Sequence, residues 1–204
     1  YSIKVKFLMK TSLRLIGGKK LNSPNGIETR PTTLMVREAI FNIFKNKVED
    51  SNWLDLFSGS GAVSCEAYNH GAKKIVAIEK NKNTSKLCLN NLLSLQNVDD
   101  RKNDIEVICK DVLTWTKPDN DRNFSSKTID FKKIKFDFIY LDPPYKSSYY
   151  ELVLEQIFNC DFIKRETFVI CEHSPNIEIK ENWLWKIFDV RTYGQSRLTF
   201  LVQI

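Results

Sequence analysis

Trp53-Leu54-Asp55-Leu56-Phe57-Ser58-Gly59-Ser60-Gly61-Ala62 is the stretch on which the fold turns. Its first five residues form a short apolar run of the kind that makes a buried strand. Ser58 to Gly61 read as a turn, and Ala62 to Tyr68 open a helix that Gly71 closes. Glycines in such a turn let the backbone approach a ligand at a helix N-terminus. Lys74 to Ile78 form the next strand, and Glu79 ends it, 18 residues beyond Gly61. A carboxylate there is placed to accept hydrogen bonds from ribose hydroxyls. Ser64 stands where GxGxxG would have its third glycine, so the dinucleotide fingerprint is incomplete. An ordinary tight strand–helix turn is the competing reading, and the position of Glu79 favours a nucleoside site over it.

The pattern repeats outward. Residues 34–48 carry Leu34, Val36, Ala39, Ile40, Ile43 and Phe44 at helical spacing, with Thr32 or Thr33 as cap behind Pro31. Residues 82–95 predict a helix with Leu87, Leu89, Leu92, Leu93 and Leu95 near its core face. Ile105 to Cys109 predict a third strand followed by Asp111, and Phe136 to Leu141 a fourth followed by Asp142. Tyr150 to Phe158 predict a helix and Phe168 to Cys171 a fifth strand. Residues 184–192 and 197–203 alternate around Tyr193-Gly194, as an antiparallel pair does. Strands alternating with helices imply an α/β fold with a mostly parallel sheet covered on both faces. In such sheets ligands lie outside the carboxyl ends of the strands. Asp55, Glu79, Asp111 and Asp142 all fall at or near such ends. One acid there is commonly a cap or a solvated loop residue, whereas four on consecutive strands point to one crevice.

Asp142-Pro143-Pro144-Tyr145 adds the chemistry. Neither proline has an N–H for a strand ladder, so the chain must turn. The turn holds a carboxylate, two stiff backbone units and an aromatic ring together, a set suited to a flat polar group such as the exocyclic amine of a nucleobase.

The remaining features set bounds. The 204 residues suffice for one domain with a substantial core. Charged residues make up 27% and the net charge is +6, a mild lean toward nucleic acid that a solvated lysine-rich surface would also produce. No apolar run approaches the ~18 residues of a membrane span, and Tyr1 to Leu8 do not read as a signal peptide. Cys65, Cys88, Cys109, Cys160 and Cys171 form no CxxC pair, which predicts buried free thiols in a reducing compartment and no metal site. His70, near a helix end, and His173, beside Glu172, are read as structural. Residues 10–30 are basic and residues 117–132 are a polar, turn-rich loop. The expected organisation is a basic N-terminal segment over 1–30, packing on or extending from the core, and one domain over 31–204.

Several pieces resemble one family. They are Arg14-Leu-Ile-Gly-Gly18, Arg30-Pro-Thr32, Val36-Arg-Glu-Ala-Ile-Phe41, Asp55-Leu-Phe-Ser-Gly-Ser-Gly61, Glu66-Ala67 with Gly71-Ala72, Asp142-Pro-Pro-Tyr145 and Tyr193-Gly194. With them the chain resembles the class I S-adenosylmethionine-dependent methyltransferases, and within that class the bacterial 16S ribosomal RNA guanine-N2 methyltransferases, from about residue 12 to 204. The tetrapeptide occurs in several amino-methyltransferases, and the Arg-Pro-Thr block with Val-Arg-Glu is more discriminating. The chain departs from the family at Ser64, at Asn69-His70 and in the longer 117–132 loop, all away from the expected site of methyl transfer.

The resemblance implies a Rossmann-like, mostly parallel seven-stranded sheet with helices on both faces. It implies S-adenosylmethionine as cofactor and transfer of its methyl group to guanine N2. Asp142, Pro143, Pro144 and Tyr145 would be catalytic, with Asp142 and the Pro143 carbonyl accepting the amine N–H groups and Tyr145 stacking on the base. The cofactor set would be Asp55, Phe57, Gly59, Ser60, Gly61, Glu79, Lys80, Asp111 and Val112, with Arg30 and Thr32. Arg14, Lys19 and Lys20, and Arg30 again, would meet RNA phosphates. The expected partner is 16S ribosomal RNA or the small ribosomal subunit, and the protein is expected to be a cytoplasmic monomer off the membrane. Three other readings stay open. They are adenine-N6 methylation of DNA or RNA, a non-catalytic RNA-binding or assembly module on this fold, and a nicotinamide dehydrogenase, which Ser64 and the Pro-Pro turn disfavour.

Overall fold

Period-two alternation sorts the strand residues between two cores. In β1 (Asn52–Leu56), Trp53 joins one buried cluster and Leu54 and Leu56 join the other. The same split holds in β2 (Lys74–Glu79), with Ile75 and Ala77 against Val76 and Ile78. It holds again in β4 (Phe138–Leu141), with Phe138 and Tyr140 against Ile139 and Leu141. Both faces are therefore apolar and each needs a cover. Helices α1 (Leu34–Ile43), α2 (Ala62–Asn69) and α3 (Lys82–Gln96) contribute buried residues to the first cluster. The short α4 (Val112–Trp115) and α5 (Ser148–Phe158) contribute to the second. This computed structural model describes residues 13–23, 32–96, 104–117, 133–144 and 148–204.

The sheet has seven strands in the order β3-β2-β1-β4-β5-β7-β6, completed by β3 (Asp104–Cys109), β5 (Phe168–His173), β6 (Trp185–Tyr193) and β7 (Ser196–Gln203). The first five pair parallel, and β7 runs antiparallel to both β5 and β6. The chain works outward from β1 to β3, then returns to place β4 on the other side of β1. That reversal opens a crevice at the carboxyl ends of β1 and β4.

Some expectations change. The first helix stops at Ile43 and does not run to residue 48. Three-residue turns follow, with Lys47 N donating to Phe44 O and Ser51 N to Val48 O, and they bury Phe44 and Val48 without helix. Thr33 is the cap, its hydroxyl accepting from Val36 N at 3.3 Å. On α3, Leu92 and Leu95 are buried, Leu87 and Leu89 only half so, and Leu93 is exposed. Ser85, Cys88 and Asn91 take the inner positions because the helix lies against the glycine turn, where small and hydrogen-bonding side chains fit. Cys109 is exposed at the end of edge strand β3, while the other four thiols are buried. The core also begins before residue 31. Leu13, Leu15 and Leu21, on a hairpin bridged by Arg14 and Lys20, are buried with α1 and α2.

One polar contact binds that hairpin down. Arg37 of α1 and Glu66 of α2 form an ion pair whose side chains are 2% and 0% exposed. Glu66 Oε1 also accepts the Ile16 N–H at 2.8 Å. Arg37 donates further to Arg14 O at 2.7 Å and Thr32 O at 3.3 Å. Burial pushes the Glu66 carboxyl up to about 7, against the pull of the Ile16 N–H and the Arg37 guanidinium. A buried charge stripped of its partner costs ~3–5 kcal/mol. Arg37→Met should therefore destabilise the fold by about that amount. Adding Glu66→Gln, which still accepts from Ile16, should restore part of the loss; urea unfolding of the two variants measures both effects.

Candidate active site

The turn after β1 is tightly constrained. Phe57, Gly59 and Gly61 have positive φ values of 66°, 53° and 78°. Phe57 is a bulky residue in a region that costs ~1–2 kcal/mol for any side chain, so the neighbourhood must hold it there. Ser58 N donates to Ile78 O at 2.9 Å and Gly61 N to Ser58 O at 2.8 Å. Glu79 accepts the Gly59 N–H at 3.0 Å with one oxygen and the Asn81 N–H at 2.7 Å with the other. Asn91 of α3 donates to Ser60 O at 2.9 Å. Gly61 has no room for a side chain, because a Cβ there would lie 2.5 Å from Cys88 Sγ. Ser64 gains a role at this point. Its hydroxyl donates to Asp55 Oδ2 at 2.5 Å, tying the first turn of α2 to β1.

Asp55 is buried, and its Oδ1 has no partner among the described residues. Burial raises its carboxyl to about 7, with the Ser64 hydroxyl and N–H opposing and the charge of Glu79 adding to the rise. Asp111 caps α4 by accepting from Thr114 N at 3.2 Å and pairs with the exposed Lys80 at 2.9 Å. Burial pushes its carboxyl up, but Lys80 and the α4 N–H groups outweigh that and hold it below the usual range. Asp142 is half-buried at the end of β4. Burial first, then the like charges of Glu172 and Asp55, raise its carboxyl well above the carboxylate range.

These parts share one cavity of about 1020 Å³ across the carboxyl ends of the strands. Of the residues read from the sequence, Thr32, Asp55, Phe57, Gly59, Ser60, Glu79, Lys80, Asp111, Val112, Asp142, Pro143 and Pro144 line it. Gly61 lies directly behind the lining, at the N-cap of α2. Arg30 and Tyr145 fall outside the described residues, as does the 118–132 part of the predicted loop. Arg14, Lys19 and Lys20 are exposed on the N-terminal hairpin and do not line the cavity. Lys19 Nζ donates to Ser94 O at 3.0 Å and Arg14 to Gly18 O at 2.8 Å. His70 stacks on Phe41 with ring centroids 4.5 Å apart. His173 lines the cavity wall with Nε2 on Thr199 Oγ1 at 2.8 Å, and burial lowers its pKa.

Sequence reading missed Tyr140, Tyr150, Glu172 and Ser196, which all line the cavity. Glu172 was accessible to the strand-end rule, since it follows the apolar Val169 to Cys171 as Asp142 follows Ile139 to Leu141. The others lie inside strands or helices, where nothing local marks them.

The strand order, the switch point and the antiparallel β7 define the Rossmann-like fold of class I S-adenosylmethionine-dependent methyltransferases, with the cavity where that fold binds its ligands. The family model described as "Conserved hypothetical protein 95" matches residues 13–202, and the chain belongs to that family. It is 29% identical over 185 residues to "Ribosomal RNA small subunit methyltransferase D" of Buchnera aphidicola subsp. Baizongia pistaciae, a match spanning 86% of this chain and 85% of that protein. It is 28% identical over 190 residues to the protein of the same name from Haemophilus influenzae, spanning 91% of each. Among solved structures, the Escherichia coli protein described as "Putative methyltransferase yhhF" superposes with a TM-score of 0.75 and 23% identity, covering 94% of this chain and 98% of that one.

Gly61→Ala should destabilise the protein by ~1–2 kcal/mol from its φ alone, and by more from the Cys88 contact. Combining it with Cys88→Ala should recover the contact part and leave the φ part, as thermal melts of the single and double variants would resolve.

Proposed function

We propose that this chain transfers a methyl group from S-adenosylmethionine to the exocyclic N2 amine of a guanine in 16S ribosomal RNA. The observation that carries the reading is that Asp142-Pro143-Pro144 and the Phe57–Ser60 turn open into one cavity together with Glu79 and Asp111. The names of the Buchnera and Haemophilus relatives supply the small-subunit RNA as the substrate class.

The cavity suits such a cofactor. Asp55 Oδ1 is a buried acceptor with no partner among the described residues, and a Cβ at Gly59 would meet open space. Glu79 would accept ribose hydroxyls, the Gly59–Gly61 backbone would approach the ligand at the start of α2, and Asp111 with Val112 would close the β3 side. When bound, S-adenosylmethionine supplies an electrophilic methyl on a sulfonium. The protein's task is the nucleophile, because the N2 lone pair of guanine is delocalised into the ring. Asp142 and the Pro143 carbonyl accept the two amine N–H bonds and favour a pyramidal nitrogen, an arrangement that binds the transition state better than the planar ground state. The rigid prolines hold that geometry without reorganisation. Asp142, the carboxylate facing the amine, is also placed to take the proton released after transfer. Arg14, Lys19 and Lys20 would contact RNA phosphates outside the cavity.

The test is labelled-methyl transfer to small ribosomal subunits against naked DNA, with nucleoside analysis of the product. N2-methylguanosine in the RNA is the expected result, and N6-methyladenosine or labelled DNA would overturn the reading. Asp142→Asn should cut single-turnover rate by ~100-fold or more while leaving cofactor affinity by calorimetry within about threefold. Asp142 must be ionised both to accept its amine N–H bond and to take the released proton. The rate should therefore fall on the acid side, with a midpoint above ~4, the ordinary aspartate value. Burial and the facing Glu172 and Asp55 set that rise, with Tyr140, Tyr150 and His173 as the remaining titratable neighbours. A rate that is flat down to pH 4 would remove the carboxylate from the step.

A further inference from the structure

A second carboxylate faces Asp142. Strands β4 and β5 pair in parallel with Leu141 opposite Cys171, so the next residues, Asp142 and Glu172, stand side by side on neighbouring strands. Strands are ~4.8 Å apart in that direction. Both side chains fall on the face shared by Tyr140 and Ile170, and both line the cavity. Glu172 is 7% exposed. Two acids this close in a largely enclosed site repel each other, and neither would be kept there without a compensating partner. Lys80 and Lys82, the cations among the described lining residues, belong to the β2 end, and Lys80 is already paired with Asp111.

Glu172 is also held in place. Its Oε2 accepts from Tyr140 OH, and its Oε1 accepts from Ser196 Oγ at 2.8 Å. Thr32 Oγ1 lies 3.0 Å from Tyr140 OH and so orients the tyrosine hydroxyl toward the carboxylate. Tyr150 OH donates to the Glu172 carbonyl at 2.5 Å. Each carboxylate oxygen accepts about two hydrogen bonds, so one site per oxygen remains on this cavity-lining side chain.

Two neighbouring acceptors match two neighbouring donors. On the Watson–Crick edge of guanine, N1–H lies beside the N2 amine. Adenine instead presents an acceptor N1 beside its N6 amine, and a carboxylate facing that nitrogen would set acceptor against acceptor. Building on the proposed guanine-N2 activity, we infer that Glu172 is the specificity-determining residue that accepts guanine N1–H while Asp142 holds the N2 amine. Tyr140, Ser196 and, through Tyr140, Thr32 position it. Sites that hydrogen-bond a substrate N–H discriminate strongly against analogues lacking it, because the buried acceptor is left unpaired.

The experiment uses 2-aminopurine, which keeps the 2-amine but has no N1–H. Small-subunit RNA is prepared with guanine or 2-aminopurine at the position where the product analysis places the methyl group. Wild-type protein should favour guanine by ~100-fold or more in kcat/KM. Glu172→Gln offers an amide N–H to the bare N1 and should shrink the preference to ~10-fold or less. A role confined to the Tyr140 and Ser196 network would lower both substrates equally and leave the ratio unchanged, which would overturn the inference. A wild-type preference near unity would also overturn it, with no variant needed. Absence of any guanine methylation by the wild type would instead sink the reading on which this one rests.

Discussion

The buried ion pair between Arg37 and Glu66 is the constraint on which the rest of the structure depends. Glu66 sits on the helix that follows the glycine turn, and Arg37 on the helix that precedes the sheet. From Arg37 the contacts pass to the carbonyls of Arg14 and Thr32. The hydroxyl of Thr32 meets Tyr140, and Tyr140 meets Glu172 at the cavity. A single line of polar contacts thus joins the basic hairpin, the cofactor-side helix and the strand ends that would receive the base. The two end links, Arg37–Glu66 and Tyr140–Glu172, are buried, where a hydrogen bond is strong and a missing partner is costly, and the links through Arg14 and Thr32 are part-buried. A shift at one end is resisted along the whole line, which gives the open ends of the parallel strands a rigid frame.

The cavity itself is electrostatically expensive. Asp55, Asp142 and Glu172 converge with little cationic relief among the described residues, and burial raises the carboxyls of Asp55 and Asp142. Such an arrangement suits a ligand that brings donors and positive charge. A sulfonium and the amine edge of a purine have those properties. Among the described residues the crevice lining holds more acids than cations on a chain of net charge +6, so most of the described basic residues lie outside it.

Much of this was legible in order along the chain. The turn after β1, the alternation of strands and helices, and Glu79, Asp111 and Asp142 at strand ends follow from periodicity and from the residues that break it. Other features depend on what packs beside them. Leu93 fits the helical apolar pattern, yet it faces outward because Cys88 and Asn91 occupy the side toward the glycine turn. Cys109 reads as a core thiol, yet β3 is the edge of the sheet and exposes it. Ser64 reads as a defect in a glycine motif, while in space its hydroxyl holds Asp55. Glu79 reads as a ligand contact, and in the fold it also fastens Gly59 to the end of β2.

By itself the sequence determined the order of the strands and longer helices, the glycine turn after the first strand and the acids that end the strands, because these are local consequences of side-chain period and backbone freedom. Only the tertiary structure decided which of those acids would stand together. Parallel pairing sets Asp142 beside Glu172, 30 residues away, and the packing of the segment before α1 sets Thr32 beside Tyr140, 108 residues away. Sheet register makes the first pair neighbours and helix packing the second, and no spacing along the chain encodes either.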